Sequence, residues 1–516
     1  MKTPYNSPNK SPLHKPFVPT LISEAQILKW MPQVLGSWDM TTTFIASMYL
    51  VTNVTTTASG SAATLLYLLL AGLTFFLPCL IITAQLGNMF PYEGALYSWT
   101  HRAMGSYWSF FASFCTWFPS IFISSNMARL FISYAQTLLH LSLTTPLQQG
   151  LAISTVLLAA SVISTRRLRR VQSLINTLAV LLLTSTILIG LAIILWFTTG
   201  HYTATSFGNL SSWNLKPENS SLFGILVFAF IGAERPLNLA GEMRERRVIH
   251  RHLRWGSVLI FVVYLTNTVA VLSIEGPQAA SDPLALVTIV TNTLGQPFGA
   301  IITLCLMGSF FAAILAYNSI FARLLFVVSM DHRLPAAIHK LNRWQVPANA
   351  ILFQALAAIT FTWLIFIITP LIAAAAGANL APTDFSAEVY SVVQAAAPLV
   401  WIISTLFLFI DLICCYLRDR QGFRQRCIFP MPILFSCTFL GIASSTLTII
   451  TTLLFPWTPL IPNTDWFYLI GSLTMTFLVI ATFSSMLARS EAAWREIRNI
   501  LLDTEKRKVV SKKLRS

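Results

Sequence analysis

The chain has 516 residues, of which 55% are hydrophobic and 10% charged, and its mean hydropathy is +0.67. Soluble domains carry about 25% charged residues, so a soluble enzyme or binding module is excluded. The formal net charge of +15 raises the question of nucleic acid, but such a binder gathers its basic residues with aromatics on one soluble face. Here the basic residues are scattered among short connections, which excludes nucleic acid as a partner and leaves the lipid bilayer.

Residues 1–30 are polar and Pro-rich, and no apolar core marks a signal peptide there. They are expected to form a disordered arm. Beyond them, apolar runs recur at about 31–54, 63–88, 106–130, 148–165, 171–198, 221–244, 252–274, 298–329, 347–370, 389–414, 429–455 and 466–488. About 20 such residues cross a bilayer as a helix, and hydrocarbon offers exposed backbone no other partner. The expectation is an all-α membrane protein with twelve transmembrane helices.

In the first run, Asp39 precedes Thr41, Thr42, Thr43, Phe44, Ile45, Ala46 and Ser47. This small, polar stretch suits an irregular segment facing a cavity as well as ordinary helix packing. Residues 91–104 are too short and polar to cross, and predict a re-entrant or interfacial helix. Arg129, towards the end of the third run, can snorkel to an interface. The sixth run contains Gly232-Ala233-Glu234-Arg235-Pro236. Gly232 weakens a helix there and Pro236 cannot donate to residue 232. A break at 232–235 is expected, with a half-helix starting at Pro236 whose N–H groups bear partial positive charge. A Pro kink with a locally satisfied Glu234–Arg235 pair is the alternative. Arg323 lies in the eighth run and Asp411 in the tenth, where an interfacial anchor is expected. The tail 489–516 is basic, with Trp494, Ile497, Ile500 and Leu501 at helical spacing. It suits the inner leaflet or a solvated end.

With the N-terminus inside, 30 of the 34 Lys and Arg fall in cytoplasmic segments. Lys216 falls outside, and Arg129, Arg235 and Arg323 lie within spans. This is the positive-inside pattern, and it predicts cytoplasmic termini. The seven cysteines form no Cys-x-x-Cys pair, so no disulfide or metal framework is expected. The eight histidines lie at span ends or in loops, which argues against an intramembrane protease. No Walker-type loop points to ATP, and no cofactor is expected. Asn209 and Asn219 open Asn-x-Ser matches in a loop expected outside.

Three stretches carry a resemblance. They are Pro91-Tyr-Glu93-Gly94-Ala-Leu-Tyr97-Ser-Trp99; Gly232-Ala-Glu234 with Asn238-Leu-Ala-Gly241-Glu242; and Ser319-Ile-Phe-Ala-Arg323 with Asp331-His-Arg-Leu334-Pro335 and Val346-Pro347. In this order and spacing the chain resembles the amino acid–polyamine–organocation superfamily over about 31–488. The resemblance implies a 5+5 inverted-repeat fold with broken helices 1 and 6. The first repeat would be 31–198, the second 221–414, and spans 429–488 would lie outside them. It further implies a secondary transporter of amino acids or related amines, with a small-molecule substrate between the two breaks. Ile45, Ala46 and Ser47 would fall at the first break, and Gly232, Ala233 and Glu234 at the second. Phe228 and Tyr317 would be aromatic gates, and Trp117 and Ser120 would face the site. Glu93, Glu242 and Arg323 would form a cytoplasmic-side gate.

The chain departs from the superfamily by lacking glycines at Ala46 and Ser47. In this it is similar to the glutamate/GABA antiporter branch. Proton symporters often carry a Lys in span five, and none occurs between Lys29 and Lys216, which tilts the expectation towards exchange. Proton symport and a transport-inactive partner subunit remain alternatives. Arg235 is unusual at its position, suited to attracting an acidic substrate or to serving as a fixed counter-ion.

Overall fold

The computed structural model describes residues 21–215, 219–368, 382–457 and 462–513. Lys216, most of the 1–30 arm and part of the ninth apolar run lie outside the described residues.

Every apolar run identified in the sequence contains helix. The elements used below are α1 (Ile22–Trp30), α2 (Ser37–Met48), α3 (Val51–Thr57), α4 (Ala63–Met89), α5 (Ala95–Met104), α6 (Ser106–Leu139), α7 (Pro146–Ser164), α8 (Leu168–Thr198) and α9 (Ser220–Ala229). They continue with a 3-10 segment (Arg235–Glu242), α10 (Arg247–Ala270), α11 (Ala285–Leu294), α12 (Gln296–Met330), α13 (Ala348–Trp363), α14 (Pro382–Arg418), α15 (Met431–Leu454) and α16 (Asn463–Lys513). Among the described residues, nine helices are long and apolar enough to cross a bilayer. The chain is therefore an all-helical, multi-pass membrane protein. Many large apolar side chains face outward, among them Leu73, Ile187, Leu356, Phe439 and Leu487, as lipid contact requires.

The central helix is α12, which packs against α6, α8 and α2. From Ser309 to Met330 nearly all its side chains are buried. Interior helices of this kind are apolar all round rather than amphipathic.

Three local expectations change. Residues 22–30, expected to be part of a disordered arm, form α1. Asp331 holds its start, accepting from Ser23 N at 3.0 Å and Ser23 Oγ at 2.8 Å. Arg102 grips Glu24 at 2.6 Å. Burial holds the Asp331 carboxyl above its usual range, while the Ser23 donors oppose the shift. Next, the helix expected at 91–104 runs over Ala95–Met104 and buries seven of its ten side chains, so protein packs around it. Finally, Asp411 is no interfacial anchor, because it is wholly buried and accepts from Thr100 Oγ1 at 2.7 Å. The tail continues α16 as backbone helix to Lys513, and the side chains from residue 490 onward lie outside the described ones.

Candidate functional site between two interrupted helices

The first interruption separates α2 from α3. Tyr49 and Leu50 are extended, with φ/ψ of −75/120° and −126/108°. A helix that stops inside an apolar bundle strands its last carbonyls, and apolar surroundings offer them no partner. Two tyrosines take that place. Tyr317 on α12 donates to Ser47 O at 2.8 Å, and Tyr264 on α10 donates to Met48 O at 2.9 Å. The same Tyr264 oxygen accepts Leu50 N at 3.0 Å. Asn267 completes the tie by donating to the Tyr49 hydroxyl at 2.7 Å.

The break thus falls just after Ile45, Ala46 and Ser47, which form the last turn of α2 rather than the break itself. No residue of 45–50 is Gly or Pro, so the local sequence carries no mark of the exact position. Tyr264 was missed for the same reason. Tyr264→Phe strands both Met48 O and Leu50 N. It is expected to cost about 1–3 kcal/mol, read as a lower melting temperature of the purified protein, while Tyr468→Phe at an exposed position serves as the comparison.

The second interruption follows α9, where the sequence predicted it. Gly232 adopts φ +111°, a region closed to most residues. Chain continues into the 3-10 segment with Pro236 in its first turn and a kink at Leu239. The expected half-helix is therefore a 3-10 one. A Cβ on Gly232 would stand 2.5 Å from Cζ and Nε of Arg235, because the Arg235 side chain folds back over the glycine. Its guanidinium carbon sits 3.7 Å from the centroid of the Trp401 ring on α14. The Tyr317 hydroxyl is its hydrogen-bonding neighbour. Arg235 is only 2% exposed, yet Nε and Nη2 have no partner.

Glu234 and Arg235 make no ion pair, which removes the locally satisfied pair as an explanation. Glu234 is also buried, with Oε2 unpartnered, and lies within electrostatic reach of Cys79 on α4. Ala233, within the second interruption, is fully buried.

Beside Trp401 lies a cavity of about 220 Å³, lined by Leu50, Asn53, Asn126, Arg129, Phe228 and Trp401 among others. Phe228 meets Trp457 at 5.6 Å between ring centroids. Arg129, expected to snorkel, lines this cavity and donates to Asn126 Oδ1 at 3.5 Å. Trp401 is fixed by its own N–H, which donates to Thr116 O at 2.8 Å. Trp117 is not gathered here. Its ring stacks on Phe353 at 5.6 Å and lines a separate crevice with Phe110 and Leu487. Ser120 is buried and donates to Trp117 O.

At the far end of the 3-10 segment, Arg323 holds Glu242 through two hydrogen bonds of 3.2 Å, with both side chains 1% exposed or less. Glu93 joins them, since a Cβ on Gly241 would meet its Oε2 at 2.5 Å. Both Glu93 oxygens lack partners. Burial first, then the Glu242 charge, push the Glu93 carboxyl well above the ordinary range, and Arg323 pulls the other way. Next to this cluster, Leu35 N donates to Glu242 O at 2.9 Å and Arg244 N to Leu35 O at 3.1 Å, a single parallel bridge. The structure thus brings together Glu93, Glu242 and Arg323 in one place. In another it gathers Ser47, Gly232, Arg235 and Tyr317, with Trp401 as the member sequence reasoning missed.

Comparison with known proteins adds the following. An uncharacterized transporter of Legionella pneumophila is 24% identical over 306 residues, covering 56% of this chain and 64% of the relative. The uncharacterized transporter YdgF of Bacillus subtilis is 28% identical over 195 residues, covering 36% and 41%. The chain thus spans less than two thirds of the length of either relative. The family model for amino acid permeases matches residues 35–492, from just ahead of α2 into α16. A match over that much of the chain, taking in both interruptions, places this protein in the amino acid permease family.

Proposed function

We propose that the chain is a secondary active transporter that moves amino acids or related amines by alternating access, through exchange. The observation that carries this reading is the pairing of two interrupted helices inside the apolar bundle, joined through Tyr317, which donates to Ser47 O and neighbours Arg235. Irregular backbone at membrane depth is tolerated where it lines a cavity, and transporters bind substrate at such discontinuities. The names of the two relatives agree with it.

In this reading all twelve apolar runs cross the bilayer. Residues 31–198 and 221–414 are inverted repeats, and 429–488 stand outside them. Both termini lie in the cytoplasm of a plasma (inner) membrane, which the 30 of 34 cationic residues on that side support. Substrate sits at Ser47, Gly232 and Ala233, below Phe228 and beside Tyr317. Glu93, Glu242 and Arg323 close the cytoplasmic side. Glu234, set between Arg235 and Cys79, is the group that titrates during the cycle.

Counterflow in proteoliposomes tests the reading. Preloaded amino acid should accelerate uptake of labelled amino acid. Uptake that follows an imposed proton gradient and ignores preloading would favour symport instead. Glu234→Gln should flatten the pH dependence of the rate, and an unchanged profile would remove Glu234 from that role.

A further inference from the structure

Among the described residues, Arg235 is a buried cation that no ion pair compensates. A buried cation is costly unless an opposite charge compensates it. The ion pairs among the described residues are Arg102–Glu24, Arg169–Asp39 and Arg323–Glu242, and none involves Arg235. Its contacts are the Trp401 ring and the Tyr317 hydroxyl, both neutral, and the Glu234 carboxylate attracts it only from beyond ion-pair distance.

The unpartnered atoms are Nε and Nη2. These two lie on one edge of the guanidinium and donate in parallel, the fork that receives both oxygens of a carboxylate. Ring contact with Trp401 covers the guanidinium face and leaves that edge as the binding element. Trp401 also lines the neighbouring cavity, where Arg129, Asn53 and Asn126 supply polar groups. At about 220 Å³ that cavity is smaller than the ~300–1,000 Å³ of drug-sized sites, and it suits a small metabolite. Arg235 stacks on Trp401, one wall of that cavity, and a cation so placed favours anions.

We propose that Arg235 is the specificity-determining residue for a net-anionic substrate, a small diacid whose carboxylate docks on the Nε–Nη2 edge with Trp401 packed against the guanidinium. A zwitterionic amino acid adds no net charge and leaves the buried cation uncompensated. A cationic amine is repelled. A diacid, with or without an amino group, neutralises Arg235 on entry. This inference rests on the substrate site proposed above, and narrows it from amino acids in general to acidic ones.

The test begins with binding, which does not depend on transport. Purified full-length protein is melted with glutamate, aspartate, glutarate, glutamine or lysine at equal concentration. Glutamate or aspartate should raise the melting temperature, whereas glutamine, the neutral isostere, should not. Glutarate shows whether the amino group is needed. In proteoliposomes Arg235→Gln should lower acidic uptake by about 30-fold or more. Arg235→Lys should restore only part of it, because an ammonium lacks the fork. Equal stabilisation by glutamine, or glutamate uptake undiminished in Arg235→Gln, would overturn the proposal. Should Arg235→Gln fail to fold, the wild-type comparison of glutamate with glutamine decides alone. Glutamate binding without counterflow would sink the transporter reading and leave the anion site standing. Counterflow of neutral amino acids, with no response to glutamate, would do the reverse.

Discussion

Arg323→Ala should abolish transport and lower the melting temperature more than any other single change at this end of the bundle. The pair with Glu242 is bidentate and almost wholly buried. Removing the cation leaves the Glu242 carboxyl stranded beside Glu93, which already has no hydrogen-bond partner. Breaking a buried pair from one side costs about 3–5 kcal/mol, because the remaining charge stays desolvated. Glu242→Gln should cost less, since a neutral amide can still accept from Arg323. Replacing both partners together by Met and Leu should recover much of the stability, but not the transport, if the pair opens and closes during the cycle. Thermal melting with counterflow on the same preparations separates the two effects. A melting temperature for Arg323→Ala equal to wild type would refute the packing described.

Gly232→Ala is the second large effect. At φ +111° an alanine is strained whatever the space around it, at roughly 1–3 kcal/mol. Its methyl would also stand 2.5 Å from the Arg235 guanidinium, so the arginine must leave the Trp401 ring. Transport should fall by about tenfold or more, given that misplacement of a binding group by an ångström is that costly. Gly105 provides the control. It has φ +90° and nothing within 4 Å of its missing Cβ, so Gly105→Ala carries the backbone strain alone. Gly232→Ala should also cost less in an Arg235→Gln background, and that difference measures the contact between the two residues. Additive costs would mean that Arg235 does not lie on Gly232.

The helices were legible because hydrocarbon enforces long apolar runs, and the second interruption because Gly232 and Pro236 mark it locally. The first interruption was placed only to within a turn. Its position is set by hydroxyls arriving from Tyr264 and Tyr317, more than 200 residues away in the chain. Adjacency of Glu234 and Arg235 left open a locally satisfied pair, which the structure does not form. Neighbours in sequence do not face each other on a helical turn, and here one lies towards Cys79 while the other folds onto Trp401. Trp401 itself sits among apolar residues in the tenth run, where an indole needs no special explanation, so nothing in its surroundings announced a partner for a buried cation. Residues 21–30 read as unstructured because the anchors of α1, Asp331 and Arg102, are contributed by distant segments.

The bridge between Leu35 and Met243 bears on how such a molecule could move. Two backbone hydrogen bonds lash the chain entering α2 to the chain leaving the 3-10 segment. Neither strand can swing out without dragging the other or sacrificing both bonds. The stretches Tyr49–Leu50 and Phe230–Glu234 are where regular helix gives way, and a hinge would fall there. With those two hydrogen bonds intact, a tilt of one paired segment would carry the other with it.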